Sequence, residues 1–248
     1  MFVGVDGCPE GWLAVVYSES GFETARVYAS ITDIWNAHRS AERICIDVPI
    51  GLRNDSSEPR ACDTAARQKL SPHRHTSVFP TPIRPAAREP TYTAAKQVQE
   101  ACTDGSLNRQ TWGITPKIDE VDQFLLKTPR ARDVFRECHP EVCLWAFTGE
   151  AMQFSKLGEP RRGYWERVDA LRTVEPSVYD HLWEATRSGL DGASDDDLID
   201  AFATALTAVG PRSQLQTLPA DPTIDDEGLP MEIVYRSPSA PESDSSHG

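Results

Sequence analysis

The sequence has no run of apolar residues approaching the ~18 that a membrane span needs, so no membrane association is expected. Met1 leads directly into Phe2-Val3-Gly4-Val5, a strand-like run without the order of a secretion signal, and a cytoplasmic location is expected. No two cysteines have the Cys-x-x-Cys spacing. The six stand apart at positions 8, 45, 62, 102, 138 and 143, several inside apolar runs such as Ile44-Cys45-Ile46. This argues against a zinc site and for reduced, buried thiols. Positive charge is also scarce: 25 Lys and Arg face 38 Asp and Glu, a net charge of -13. A general nucleic-acid binder would carry a basic surface. The acid excess is equally compatible with a high-salt cytoplasm.

What is present suits one large α/β domain or two small ones. The chain has 248 residues, 39% hydrophobic, enough for a substantial core. Charge is uneven along it. From residue 189 onward 12 acids face only Arg212 and Arg236, whereas residues 53–88 hold seven Arg or Lys against Asp55, Glu58 and Asp63. A basic island in an acidic chain is a candidate contact surface.

Residues 2–6, 11–17 and 22–28 read as strands, 30–39 as a helix capped by Ser30 or Thr32, and 44–50 as a buried strand stopped by Pro49 and Gly51. Three strands, a helix and a fourth strand open the ribonuclease H-like order. Residues 53–132 are rich in proline and base and read as a large insertion of helices and loops, with helices over 59–70 and 93–102. A fifth strand is expected over 134–139 and a helix opening at Pro140. Residues 160–190 look mostly helical. A clear helix follows Asp195-Asp196-Asp197 and stops at Gly210-Pro211, and a last strand covers 231–235 after a turn at 226–228. The domain is expected to span 1–236, with an acidic, disordered tail over 237–248.

The chemistry rests on acids. Asp6 ends one apolar strand and Asp47 lies near the end of another, where open sheets place their sites. A carboxylate within Ile-Cys-Ile-Asp-Val-Pro-Ile is costly to bury unpaired. Asp197 and Asp200 share one face at the start of a helix. Acids there also serve the helix dipole, which accounts for Asp195 or Asp196 better than for Asp200, one turn further in. Glu137 and Glu141 flank His139-Pro140, and either could complete the set, with Glu137 slightly preferred. His139 is a candidate base or a residue that holds its loop. Several converging carboxylates would suit Mg²⁺ or Mn²⁺.

These stretches resemble the domain-of-unknown-function 429 family of predicted ribonuclease H-like nucleases. The matching segments run almost end to end. They are Gly4-Val5-Asp6-Gly7-Cys8-Pro9 with Gly11-Trp12, Ile46 to Leu52, Arg60-x-x-Asp63-x-x-Ala66-Arg67, and Ser77 to Pro82. Gln110-x-Trp112 through Lys117, Glu120 and Asp122 follows, then Glu137-x-His139-Pro140-Glu141 and Asp196-Asp197-x-x-Asp200-Ala201. The resemblance implies an α/β fold with a mixed five-stranded sheet of order 3-2-1-4-5. It also implies a metal-dependent nuclease with Mg²⁺ or Mn²⁺ and a nucleic-acid substrate, DNA or RNA. Asp6, Asp197 and Asp200 become metal ligands, with Asp47 or Glu137 in the remaining acidic position. Arg60, Asp63, Arg67, Gln110, Lys117 and Glu120 become substrate contacts, or else an ion-paired network that orders the insertion. Phe79-Pro80 and Trp112 would stack on bases or pack the insertion. The competing readings are an actin-like phosphotransferase or ATPase, which usually needs two copies of the fold and glycine-rich loops, and a non-catalytic binding module.

Overall fold

The computed structural model describes residues 1–187, 190 and 192–236; the tail expected over 237–248 lies outside the described residues. Strands β1 (Phe2–Cys8), β2 (Gly11–Ser18) and β3 (Gly21–Tyr28) form an antiparallel meander. Helix α1 (Ile31–Ala37), capped by Ser30, carries the chain to β4 (Arg43–Ile46), which runs parallel to β1. Between β4 and β5 (Phe135–Glu137) lie α2 (Ala61–Lys69), α3 (Arg84–Ala87), α4 (Tyr92–Cys102), α5 (Arg109–Lys127) and α6 (Pro129–Arg132). Strand β5 pairs parallel with β4 and closes a mixed sheet of order β3-β2-β1-β4-β5, as expected. Then come α7 (Pro140–Thr148), α8 (Pro160–Arg172), α9 (Val178–Arg187), α10 (Asp195–Ala208), β6 (Leu215–Ile224) and β7 (Pro230–Arg236).

Two elements escape the sequence pattern. Gly113 and Pro116 speak against a helix at Arg109–Lys127, and proline inside a helix costs about 3 kcal/mol. The helix forms because Asn108 caps it at 2.8 Å to Thr111 N–H, and because Thr111, Thr115, Ile118, Val121, Phe124 and Leu125 bury one stripe. Strand β6 contains Pro219 and Pro222, which argue against pairing. It pairs with β7 in a separate two-stranded sheet, and the register slips between Leu218 and Thr223, where those prolines lie.

Strand alternation divides the main sheet into two packed faces. Val3, Val5, Ile44, Ile46 and Phe135 join the core that includes Ile118, Val121 and Leu125 of α5. Cys45 faces the opposite core, with Ala201, Phe202 and Ala205 of α10. Gly4 allows the close approach on that side. A β-carbon there would lie 2.0 Å from Ala205 N and 2.4 Å from Ala201 O, so the helix backbone rests directly on the strand. Burial of Leu198, Ile199 and Phe202 contributes roughly 1.5–3 kcal/mol each to holding α10 in place.

Helix α10 starts with a capping box: Ser194 Oγ accepts from Asp197 N–H and Asp197 Oδ2 accepts from Ser194 N–H. Ser194→Ala is expected to cost about 1 kcal/mol and to lower Tm by some 2–4 °C. An unchanged melting curve would remove the box from the account. All six cysteines are free, and Cys102 is the exposed one. Among the described residues no helix is long and apolar enough to cross a membrane.

Candidate functional site

The parallel register of β1 and β4 brings the first two acids together. Val5 pairs with Ile46, and Asp47 N–H donates to Val5 O at 3.0 Å, so Asp6 and Asp47 form the next pair beyond the end of β4. The period of two turns both toward the face on which α10 lies. Asp200, beside the residue that packs on Gly4, reaches the same place from the helix. Glu141 arrives in the first turn of α7. Asp6, Asp47, Asp200, Glu141, His139 and Lys156 line one cavity of about 610 Å³.

The electrostatics of this cavity are unbalanced. Burial, with repulsion from Asp200, Asp47 and Asp197, holds the Asp6 carboxyl well above the usual carboxylate range. Burial pushes Asp47 up to about 6, against the pull of His139 and with a further push from Asp200. Asp200 is raised by burial while Lys156, hydrogen-bonded to its Oδ2, pulls it down. Glu141 Oε1 is held by Arg167. Two buried oxygens, Asp200 Oδ1 and Glu141 Oε2, have no hydrogen-bond partner. Each such unsatisfied acceptor costs about 1–3 kcal/mol or more, which a cation would offset. The donors are all carboxylate oxygens, the set that Mg²⁺ and Mn²⁺ prefer. Donor chemistry and these orphaned oxygens suit a divalent ion, although no three ligand atoms of this cluster lie within 4.8 Å of one another.

A second group is metal-like by proximity alone. Ligand atoms of Cys62, Asp63 and Glu137 lie within 4.8 Å of one another, the one such group among the described residues. Arg60 already occupies its carboxylate oxygens. Its Nη2 donates to Asp63 Oδ1 and Glu137 Oε1, both at 2.6 Å, and its Nη1 donates to Glu137 Oε2 at 2.8 Å. Ile50 N–H adds a fourth bond, to Glu137 Oε2 at 2.7 Å. The reason Glu137 keeps this company is the strand period. It pairs with Ile46 and shares the face of Phe135 and Ile46, opposite the face of Asp6 and Asp47. Glu141, and not Glu137, acts on the charge of Asp47 and Asp200.

The remaining candidates scatter. Asp197 caps its own helix and stands outside the cavity lining, near enough to repel Asp6. His139 caps α7: its Nδ1 accepts from Glu141 N–H at 3.2 Å, which leaves Nε2 as the N–H toward Ser77 O. Lys117 and Gln110 line the cavity, and Lys117 Nζ sits 4.4 Å from the Trp12 ring centroid and donates to Gly11 O. Arg60 and Asp63 reach the cavity wall but are nearly fully buried. Arg67 donates to Val78 O. Glu120 accepts from Trp12 Nε1 at 3.0 Å and Ile31 N–H at 2.7 Å, outside this cavity. Phe79 and Pro80 line the cavity, whereas Trp112 packs near Tyr92.

The basic island is partly interior: Arg60 and Arg84 are buried, whereas Arg53, Arg67, Arg74 and Arg88 are half-buried and Lys69 is exposed. Arg60 serves the network just described; Arg84 pairs with Asp122 and Asp225, and Arg88 with Asp119 and Asp122. Lys156 and Arg167 were not singled out from the sequence. Their only signal is position in the otherwise unremarked stretch before and within α8.

The fold and site define an α/β protein whose mixed sheet carries an under-neutralised carboxylate cluster at the end of its parallel strands. The chain belongs to the family DUF429, described as protein of unknown function, whose model matches residues 4–224. No curated protein and no solved structure matches it significantly.

Proposed function

We propose that the chain is a metal-dependent nuclease that hydrolyses phosphodiester bonds of nucleic acid. The observation that carries this reading is the convergence of Asp6, Asp47, Asp200 and Glu141, from four separate stretches of the chain, on one cavity with two carboxylate oxygens left unpartnered. The order of the sheet is that of the ribonuclease H-like class, which supports it further. Asp6, Asp47 and Asp200 would hold Mg²⁺ or Mn²⁺, with Glu141 in the remaining acidic position. A bound ion of this kind stabilises charge on the phosphate and activates a water. The chain's own groups do the rest. Lys156 offsets Asp200 and places a positive charge in the cavity, and Lys117 places another in its lining. Arg60 acts at a distance, by fixing Glu137, Asp63 and the Ile50 backbone behind the wall.

Thermal unfolding with and without Mn²⁺ tests the metal. The raised carboxyls of Asp6, Asp47 and Asp200 must give up protons to bind it, so the stabilisation should be larger at pH 8 than at pH 5.5. Labelled single-stranded, duplex and branched DNA and RNA then test cutting. No metal-dependent shift at pH 8, or an undiminished one in Asp200→Asn, ends this reading. Nucleotide hydrolysis without cutting would favour the phosphotransferase alternative. That alternative is disfavoured because the described residues hold a single sheet of this order.

A further inference from the structure

Three exposed aromatic side chains lie on α8 and α9, and a fourth exposed apolar residue, Leu157, precedes α8. Leu157 is 94% exposed, Trp183 69%, Trp165 54% and Tyr179 39%. Trp165 lies on α8 and its ring is 6.2 Å from that of Tyr179 on α9; Trp183 follows Tyr179 by one helical turn. Arginines accompany the rings. Arg172 sits 4.9 Å from the Tyr179 centroid and Arg162 5.2 Å from that of Phe154. Arg161 shares a hollow with Phe154, Arg162, Trp165, Glu166 and Asp169, and makes no ion pair among the described residues.

This face is tied to the acid cavity by a short loop. Glu166 of α8 accepts from Gln153 N–H at 2.7 Å and Phe154 N–H at 2.9 Å, and Arg167 donates to Phe154 O at 3.1 Å while holding Glu141. Two and three residues on, Lys156 and Leu157 line the cavity. The exposed rings and the carboxylate cluster therefore flank the same loop.

We propose that Trp165, Tyr179 and Trp183, with Arg161 and Arg162, form a stacking platform for an unpaired nucleic-acid strand that continues into the acid cavity. The proposal rests on the nuclease reading and names its substrate class: single strands or unpaired segments. Aromatic faces interleaved with guanidinium groups suit bases and phosphates in alternation. The cavity, at about 610 Å³, is of small-molecule size, so a strand enters where a duplex does not. A second copy of this chain fits the face less well. At ~250 Å² for a whole aromatic side chain, the three rings expose roughly 400 Å². A stable interface buries ~800 Å² per partner. Asp169 is already engaged by Arg172, and Glu159 by Arg162, so the charge attraction is modest and stacking dominates.

The test is anisotropy of labelled oligo-dT and oligo-U with the wild-type chain in EDTA, so that binding is read without cleavage. Trp165→Ala and Trp183→Ala should each weaken single-strand binding about tenfold with little change in Tm, and Trp165→Phe should restore most of it. Arg161→Ala should flatten the dependence of log K on log salt by about 0.7. Unchanged affinity in the tryptophan variants, equal affinity for a duplex, or a wild-type dimer that Trp165→Ala makes monomeric would each overturn the platform. Weakened binding with no Mn²⁺-dependent cutting of any substrate would uphold the platform and sink the nuclease. Cutting with binding unaltered by the variants would do the reverse.

Discussion

Asp6→Asn should abolish Mn²⁺-dependent cutting and at the same time raise the melting temperature of the metal-free protein. Loss of one group that acts on transition-state charge in a closed site costs on the order of 10²–10³ in rate, and Asp6 would also be a metal ligand, so about a thousandfold or more is expected. The stability gain follows from its surroundings. Asp6 lies beside Asp47 and Asp200 and is 7% exposed, and its carboxyl is held well above the ordinary range. A carboxyl whose folded pKa is raised binds its proton more tightly when folded. Stability is then lost as pH rises from the unfolded value through the folded one. At pH 8 an amide of the same shape removes that cost, so the metal-free variant should melt higher than wild type there. At pH 4 the two proteins should melt together. A variant that cuts normally, or that melts lower than wild type at pH 8 without metal, would contradict the site. The same opposition of stability and activity is expected of any pocket built to hold a cation that its own side chains cannot replace.

Arg60→Leu should cost about 3–5 kcal/mol, the usual cost of removing one partner from a buried ion pair. Asp63 and Glu137 would lose their charged donor, and the carbonyls of Ile50 and Gly51 would lose the same guanidinium. Burial already pushes Glu137 up to about 7 against the pull of Arg60. Without the guanidinium it would rise further, so the variant should be worst at high pH and should recover partly as pH falls. Adding Asp63→Asn and Glu137→Gln should return most of the lost stability, because the buried charges leave with their partner. Denaturant unfolding at pH 6 and pH 9 measures both effects. A pH-independent loss, or no recovery in the triple variant, would mean that packing and not charge explains the position.

Much of the architecture was legible in the primary order. The runs Phe2–Asp6, Gly11–Tyr17 and Ile44–Ile46 are apolar in the pattern a sheet requires, and the small residues of Ala201 to Ala208 fit a helix that lies on it. The acids at strand ends and Asp200, set among apolar neighbours, stood out because a carboxylate there has no cheap alternative. Helix α5 did not stand out, since Gly113 and Pro116 carry a local signal that one buried stripe overrides. Strand β6 was hidden in the same way by Pro219 and Pro222. The contribution of Lys156 was invisible, because a lysine in a loop gains meaning only from the carboxylate it meets, 44 residues away.

The sequence by itself determined where most of the strands and helices lie, because strand and helix periodicity is written in neighbouring residues. Only the tertiary structure decided which charges meet. On sequence alone Glu137 is slightly preferred over Glu141, four positions on, but the pleat turns Glu137 to the far face, onto Arg60, and α7 turns Glu141 toward Asp200. The basic island likewise read as a surface until folding buried Arg60 and Arg84, the latter against Asp225, 141 residues on. Electrostatic partners are set by distance in space, and no local pattern records that distance.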